Sequence, residues 1–197
     1  MAIRQRRTGD VIVQERAEKT RTKLLISALE MYSKKGYAKT TVDDIAGNAG
    51  LSVGVAYRYF KYKKDILLSS MEYAFLNMEE ISGTNMEDLV SGDIRKILEK
   101  FESLHEGNKA LHEELESLRH SDKDVGDLYR TFTSEALSKI HEKLGESISY
   151  EDLVMAVDMM ECFCHHRISG DLDEDSLNRL REKTARTVSG LLDRSSV

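Results

Sequence analysis

Not one of the 197 residues is proline, and only 12 are glycine. Sandwiches and barrels turn tightly and often, and both residue types serve those turns, so a chain this poor in turn formers is steered towards helices. The length suits one large domain or two small ones and is ample for a real core. Hydrophobic residues make up 40% and charged residues 32%, which excludes general disorder. No apolar run approaches the length of a bilayer span, and no signal-peptide core follows the start. Two cysteines exclude a disulfide scaffold. The expectation is a soluble, cytoplasmic, all-α protein.

Charge is spread unevenly along the chain. Residues 1–64 hold 14 Lys and Arg against 6 Asp and Glu, a net of +8, whereas residues 65–197 hold 15 against 29, a net of −14. A basic head on an acidic body is the pattern of a nucleic-acid-binding domain joined to a part that phosphate repels. A chance unevenness of solvated surface charge is the plain alternative.

Residues 1–13 carry Arg4, Arg6 and Arg7 without helical periodicity and read as a flexible basic arm. A helix is expected from about Gln14 to Lys35, with Leu24, Leu25, Ala28, Leu29 and Tyr32 on one stripe and Gly36 as its stop. Thr41 and Asp44 have capping-box spacing at the start of a short helix that ends near Asn48. Ala49-Gly50-Leu51 forms a break, and Ser52 stands where it can cap a second short helix, about Val53 to Phe60. Two short helices joined by a glycine turn have the spacing of a helix-turn-helix, and equally of two small core helices. The stretch that follows is more telling. Tyr57, Arg58, Tyr59, Lys61, Lys63 and Lys64 put phenol and cationic groups on and just past the second helix, where phosphate contacts are made. A structural role for either Tyr57 or Tyr59 is an equal alternative.

From Arg21 to Leu67 the chain resembles the DNA-binding head of the TetR family of transcription regulators. The residues that carry the resemblance are Arg21, Leu24-Leu25, Gly36-Tyr37, Thr40-Thr41-Val42, Ile45-Ala46, Ala49-Gly50-Leu51-Ser52, Gly54, Tyr57, Tyr59-Phe60, Lys63 and Leu67. The chain departs from the family pattern at Tyr62, where a small polar cap is usual, and at Lys64, where an acid is usual. The resemblance implies that Val53, Gly54 and Val55 face the major groove, the valines against thymine methyl groups. It leaves Ser52, Arg58 and Lys61 for base edges and assigns Thr40, Thr41, Tyr57, Tyr59 and Lys63 to phosphates. The arginines of the arm either enter a minor groove or form a solvated tail.

The remainder reads as helices only. The domain boundaries drawn are 1–13 for the arm, 14–64 for the head and 65–197 for an effector-binding and dimerisation body, with about nine helices in all. Ser82–Asn85 reads as a loop, and the last two helices are expected at about Tyr150–Ser169 and Glu174–Leu192. The first of these is apolar nearly all round, as a helix covered on more than one side must be. By resemblance the pair forms a four-helix bundle with a second copy. The residues assigned to that interface are Met155, Met159, Cys162, Phe163, His166, Leu180, Thr184, Val188 and Leu191. A central core helix of a monomer is the other reading of the same pattern. The family's effector site, among helices four to seven, maps to Phe75, Met78, Phe101, His105, Leu115, Tyr129 and Phe132.

No cofactor is expected and no metal set is assigned. Cys162, His165 and His166 have ligand spacing on a helix, but small apolar cysteines and hydrogen-bonded histidines are the simpler reading. No phosphate loop, nucleophile elbow or paired-histidine motif points to an enzyme. The resulting expectation is a ligand-responsive transcriptional regulator, in this family most often a repressor, acting on the nucleoid. Its partners would be a palindromic double-stranded operator, a second copy and a small-molecule effector, and no membrane. The alternatives are an architectural or cell-division factor of the same fold and a helical small-molecule-binding module.

Overall fold

The computed structural model describes residues 2–77, 93–145 and 148–193, with side chains from Val13 onward. Every regular element among them is a helix. These are α1 (Ala2–Lys35), α2 (Val42–Asn48), α3 (Val53–Tyr59), α4 (Lys63–Leu76), α5 (Ile94–Gly107), α6 (Lys109–Ser121), α7 (Lys123–Leu144), α8 (Tyr150–Ser169) and α9 (Glu174–Leu191). No helix of the described residues is long and apolar enough to cross a membrane. The expected loop at Ser82–Asn85 and the expected pocket residue Met78 lie outside the described residues.

The chain divides into two compact units, Met1–Tyr73 and Ala74–Val197. The division falls inside α4, later than the boundary drawn at Lys64. Charge changes sign at Asp65, but the helix that begins at Lys63 runs on through that point without a break.

In the first unit α1 starts at Ala2, so the segment expected to be a non-helical arm continues the helix. Residues 2–13 contain no proline, and Gly9 is their one poor helix former, so nothing in the backbone opposes extension. The other end stops as expected. Lys34 and Lys35 occupy the last turn, and Gly36 takes φ +79 while its N–H donates to the Tyr32 carbonyl at 2.8 Å. Leu24, Leu25, Ala28 and Tyr32 of α1 are fully buried, as are Ile45 of α2 and Ala56 of α3, and Phe60 is 5% exposed. Each large aliphatic side chain buried there contributes about 1.5–3 kcal/mol.

In the second unit α8 is the central helix, packed on α9, α5 and α7. Its Ala156, Met160, Phe163 and Cys164 join Ile97 and Leu98 of α5 and Val188 of α9 in one core. Leu153 joins Leu137 and Leu144 of α7 in another. Ser149 caps α8 by accepting from the Asp152 N–H, and Asp173 caps α9 by accepting from the Ser176 N–H. Between α5 and α9, the Arg181 guanidinium donates to both oxygens of the buried Glu102 carboxylate at 2.6 and 2.8 Å.

Candidate functional site

Side chains from α1 fix the helix pair α2–α3. The buried Ser27 hydroxyl donates to the Ile45 carbonyl at 2.7 Å, and the Asn48 amide donates to Ser27 Oγ at 3.0 Å and to Glu30 at 2.8 Å. The capping box of α2 is complete. Thr41 Oγ1 accepts from the Asp44 N–H at 3.1 Å, and the Asp44 carboxylate accepts from the Thr41 N–H at 2.8 Å. Hydrogen bonds from Lys35 and Thr41 hold the Asp44 carboxyl well below the usual carboxylate range. Gly50 takes φ +67 in the turn to α3, a conformation costly for any residue with a Cβ.

Ala56 and Phe60 seat α3 on this core, and the Arg21 guanidinium stands over the Phe60 ring at 5.5 Å. The opposite face carries Ser52, Gly54, Tyr57, Arg58 and Lys61, all exposed. Val53, Val55 and Tyr59 are half-buried at its margins. Ser52 occupies the cap position of α3 but makes no side-chain capping bond. A Cβ built on Gly54 meets nothing within 4 Å, so the face is open there. The departures at Tyr62 and Lys64 are partly made good by Asp65. Its carboxylate accepts from the Tyr62 N–H at 2.8 Å and places an acid in the first turn of α4.

Two of the residues assigned to phosphates are committed inward. Thr40 is 1% exposed, and its hydroxyl donates to the Gly36 carbonyl at 2.7 Å. The Lys63 ammonium donates to the carbonyls of Tyr37 at 2.8 Å, Thr40 at 3.0 Å and Ala38 at 3.3 Å, and lies 4.2 Å from the Tyr37 ring centroid. Carbonyls left over past the end of α1 are strong local acceptors, and they take up this ammonium. Thr41 is exposed, although its hydroxyl serves the capping box.

The residues expected to form one effector pocket fall into separate groups in the second unit. Phe75 stacks on Phe132 at 4.8 Å and meets Tyr129 edge-on at 6.3 Å. Phe101 packs against the α5–α8–α9 core. His105 joins His112 and His165, and Leu115 is half-buried on α6. An open groove of about 360 Å³ is lined by Arg119, Gly126, Tyr129, Thr133, Leu137 and Tyr150, so only Tyr129 is shared with the expected pocket. Burial, with the Glu161 carboxylate nearby, pushes the Tyr129 phenol up to about 12.

The expected interface residues divide as well. Phe163, Thr184 and Val188 are 1%, 3% and 0% exposed within a single chain, so they belong to its own core. The sequence shows that α8 is apolar on several sides but not which side its own neighbours take. His166 faces Asp171 at 3.0 Å at the end of α8, so it is not an apolar contact. Left on the outer side of α8 are Met155, 53% exposed, Cys162, also exposed, and the half-buried Met159. Leu180 and Leu191 are half-buried on α9.

A trihelical core that presents a short second helix on an open face, with Tyr57, Arg58 and Lys61 outermost, defines a helix-turn-helix DNA-binding head. Residues 24–69 match the family described as bacterial regulatory proteins, tetR family. The head is thus of the type that this family shares. The HTH-type transcriptional regulator CymR of Pseudomonas putida is 34% identical over 79 residues, 40% of this chain and 39% of that protein. The regulator TcmR of Streptomyces glaucescens is 32% identical over 95 residues, 46% of this chain and 42% of that protein. The uncharacterized regulator YerO of Bacillus subtilis is 34% identical over 79 residues, 40% of this chain and 27% of that protein. The chain thus spans less than half the length of the curated relatives it matches. A TetR transcription regulator from Haloarcula marismortui shares the fold across 88% of this chain and 98% of its own, with a TM-score of 0.68 at 14% identity. One from Rhodococcus sp. does so across 89% and 100%, with a TM-score of 0.66 at 15% identity.

Proposed function

We propose that the chain is a cytoplasmic transcriptional regulator that binds a palindromic operator as a homodimer, acts as a repressor, and is released when its body takes up an effector. The outward face of α3 is the single observation that carries this reading. Its Tyr57, Arg58 and Lys61 are exposed, and the first turn offers only Val53, Gly54 and Val55. Arginine and lysine there meet guanine edges or phosphate, and the valines fit thymine methyl groups. The net charge of +8 over residues 1–64 draws the head to a polyanion, whereas the −14 of the rest turns the body away from it. The exposed Met155 and Cys162 and the half-buried Met159 on α8 supply the apolar face against which a second copy closes a bundle about a two-fold axis. Two heads then reach successive major grooves about 34–36 Å apart. An effector that favours the released form is in turn bound less tightly by the DNA-held form, by the same factor.

Selection from a pool of random duplexes should return an inverted repeat with half-sites about 10 bp apart. On that duplex, fluorescence anisotropy across a salt series should show steeply falling affinity. Arg58→Ala and Lys61→Ala should each weaken binding, and a variant that loses a phosphate contact should lower the salt slope by about 1. A flat salt response, or a slope and affinity unmoved by both changes, would refute the assignment of this face.

A further inference from the structure

Helices α5, α6 and α8 bring three histidines together inside the second unit. His105 is 9% exposed, and its Nδ1 lies 2.7 Å from the Phe101 carbonyl oxygen. That oxygen only accepts, so Nδ1 carries the proton and Nε2 is bare. The His112 ring stands edge-on to His105 at 4.6 Å and to His165 at 4.8 Å between centroids. Nε2 of His112 and Nε2 of His165 are 2.9 Å apart. Glu116 follows His112 by one helical turn, which puts its carboxylate on the same face of α6. One ligand atom from each of His112, Glu116 and His165 lies within 4.8 Å of the other two, and all three residues are half-buried.

We propose that His112, Glu116 and His165 bind one divalent transition-metal ion of the zinc, cobalt and nickel class, and that this ion is the effector of the body. The second half rests on the regulatory reading above, whereas the binding itself does not. Two imidazole nitrogens and one carboxylate suit this class of ion, and magnesium or calcium would ask for oxygen donors throughout. Bonds of about 2.0–2.1 Å to a tetrahedral ion set ligand atoms about 3.3 Å apart, so the two imidazoles need to part by only about 0.4 Å. The present contact between them requires that one Nε2 be protonated. Taking up the ion moves that proton to Nδ1 or to solvent and leaves both Nε2 lone pairs for the metal.

The surroundings favour a cation. Glu161 lies one turn before His165 on α8, and burial and the Glu116 carboxylate push its carboxyl up. A dication relieves the crowding of these carboxylates and uses the bare nitrogens. One positive group already serves Glu116, namely the Arg119 guanidinium at 2.8 Å, which also stands 5.1 Å from the Tyr129 ring centroid. Capture of Glu116 by the ion frees Arg119 at the end of α6, beside α7. Occupancy of the site thereby reaches a second pair of helices.

The test uses the full chain, treated with a chelator and titrated with cobalt(II). The expected result is a saturable ligand-field absorption at one ion per chain, without thiolate charge-transfer bands. His165→Gln and the near-isosteric Glu116→Gln should each weaken cobalt binding by at least about tenfold, with circular dichroism showing that both stay helical. Absence of a saturable band, unchanged affinity in both variants, or charge-transfer bands that vanish in Cys162→Ser would overturn the site. In parallel, zinc should shift the affinity of the wild type for duplex DNA at low salt, and His165→Gln should abolish the shift. An unshifted affinity in a chain that binds both cobalt and DNA overturns the effector role. Failure to bind DNA at all, with the cobalt spectrum intact, counts against the regulatory reading and leaves the metal site standing.

Discussion

Gly47 sits in the middle of α2, is exposed, and a Cβ placed on it meets nothing within 4 Å. It therefore carries the backbone entropy cost of glycine in a helix without a steric reason. Gly47→Ala should raise the stability of the head by about 0.5–1 kcal/mol, read as a higher midpoint in chemical denaturation. Tyr32 offers a second test. It is fully buried, its hydroxyl has no hydrogen-bond partner among the described residues, and burial pushes its ionisation far above the ordinary phenol value. Tyr32→Phe removes an unpaired polar atom and keeps the ring that meets Tyr37 edge-on at 5.5 Å. Stability should hold or rise by about 1 kcal/mol, and a clear loss would mean that the hydroxyl is bonded. Among the site residues, sequence spacing placed Tyr57, Arg58 and Lys61 on the open face. Thr40 and Lys63, which the family resemblance assigned to phosphates, give protons to chain carbonyls instead, and sequence position does not display that competition.

The helices themselves were largely legible. The expected bounds of α8, Tyr150–Ser169, are those observed, and α9 ends one residue short of the expected Leu192. What sequence does not encode locally is which helices meet. His112 and Glu116 show their one-turn spacing in the chain, but His165 lies far along it and joins them only because α6 packs near α8. The contact between α6 and α7 was hidden for the same reason. A Cβ on Gly126 would lie 2.5 Å from the Arg119 carbonyl oxygen, a backbone atom with little room to yield. Gly126→Ala should push α7 off the end of α6 and destabilise the second unit by about 1–3 kcal/mol, the range typical of overpacking. A two-transition melt in which only one transition moves would show that the effect is local to that unit. Equal stability of the variant would mean that the two helices slide apart freely.

At the scale of the whole molecule, the two cysteines report on assembly. Burial pushes the Cys164 thiol up to about 12 and leaves it with no exposed surface, whereas Cys162 is exposed on the outer side of α8. One thiol per native chain should react with a thiol reagent at neutral pH, and two after denaturation. If a second copy covers α8, the single native reaction should slow as protein concentration rises. A rate independent of concentration would mean that this face stays in solvent. The grip of Lys63 has a mechanical corollary of its own. Its three carbonyl bonds rivet the bend after α1 to the opening turn of α4, and Thr40 fastens the same bend from within. Any tug on α4 is thus handed directly to the platform that carries α2 and α3, without slack between them.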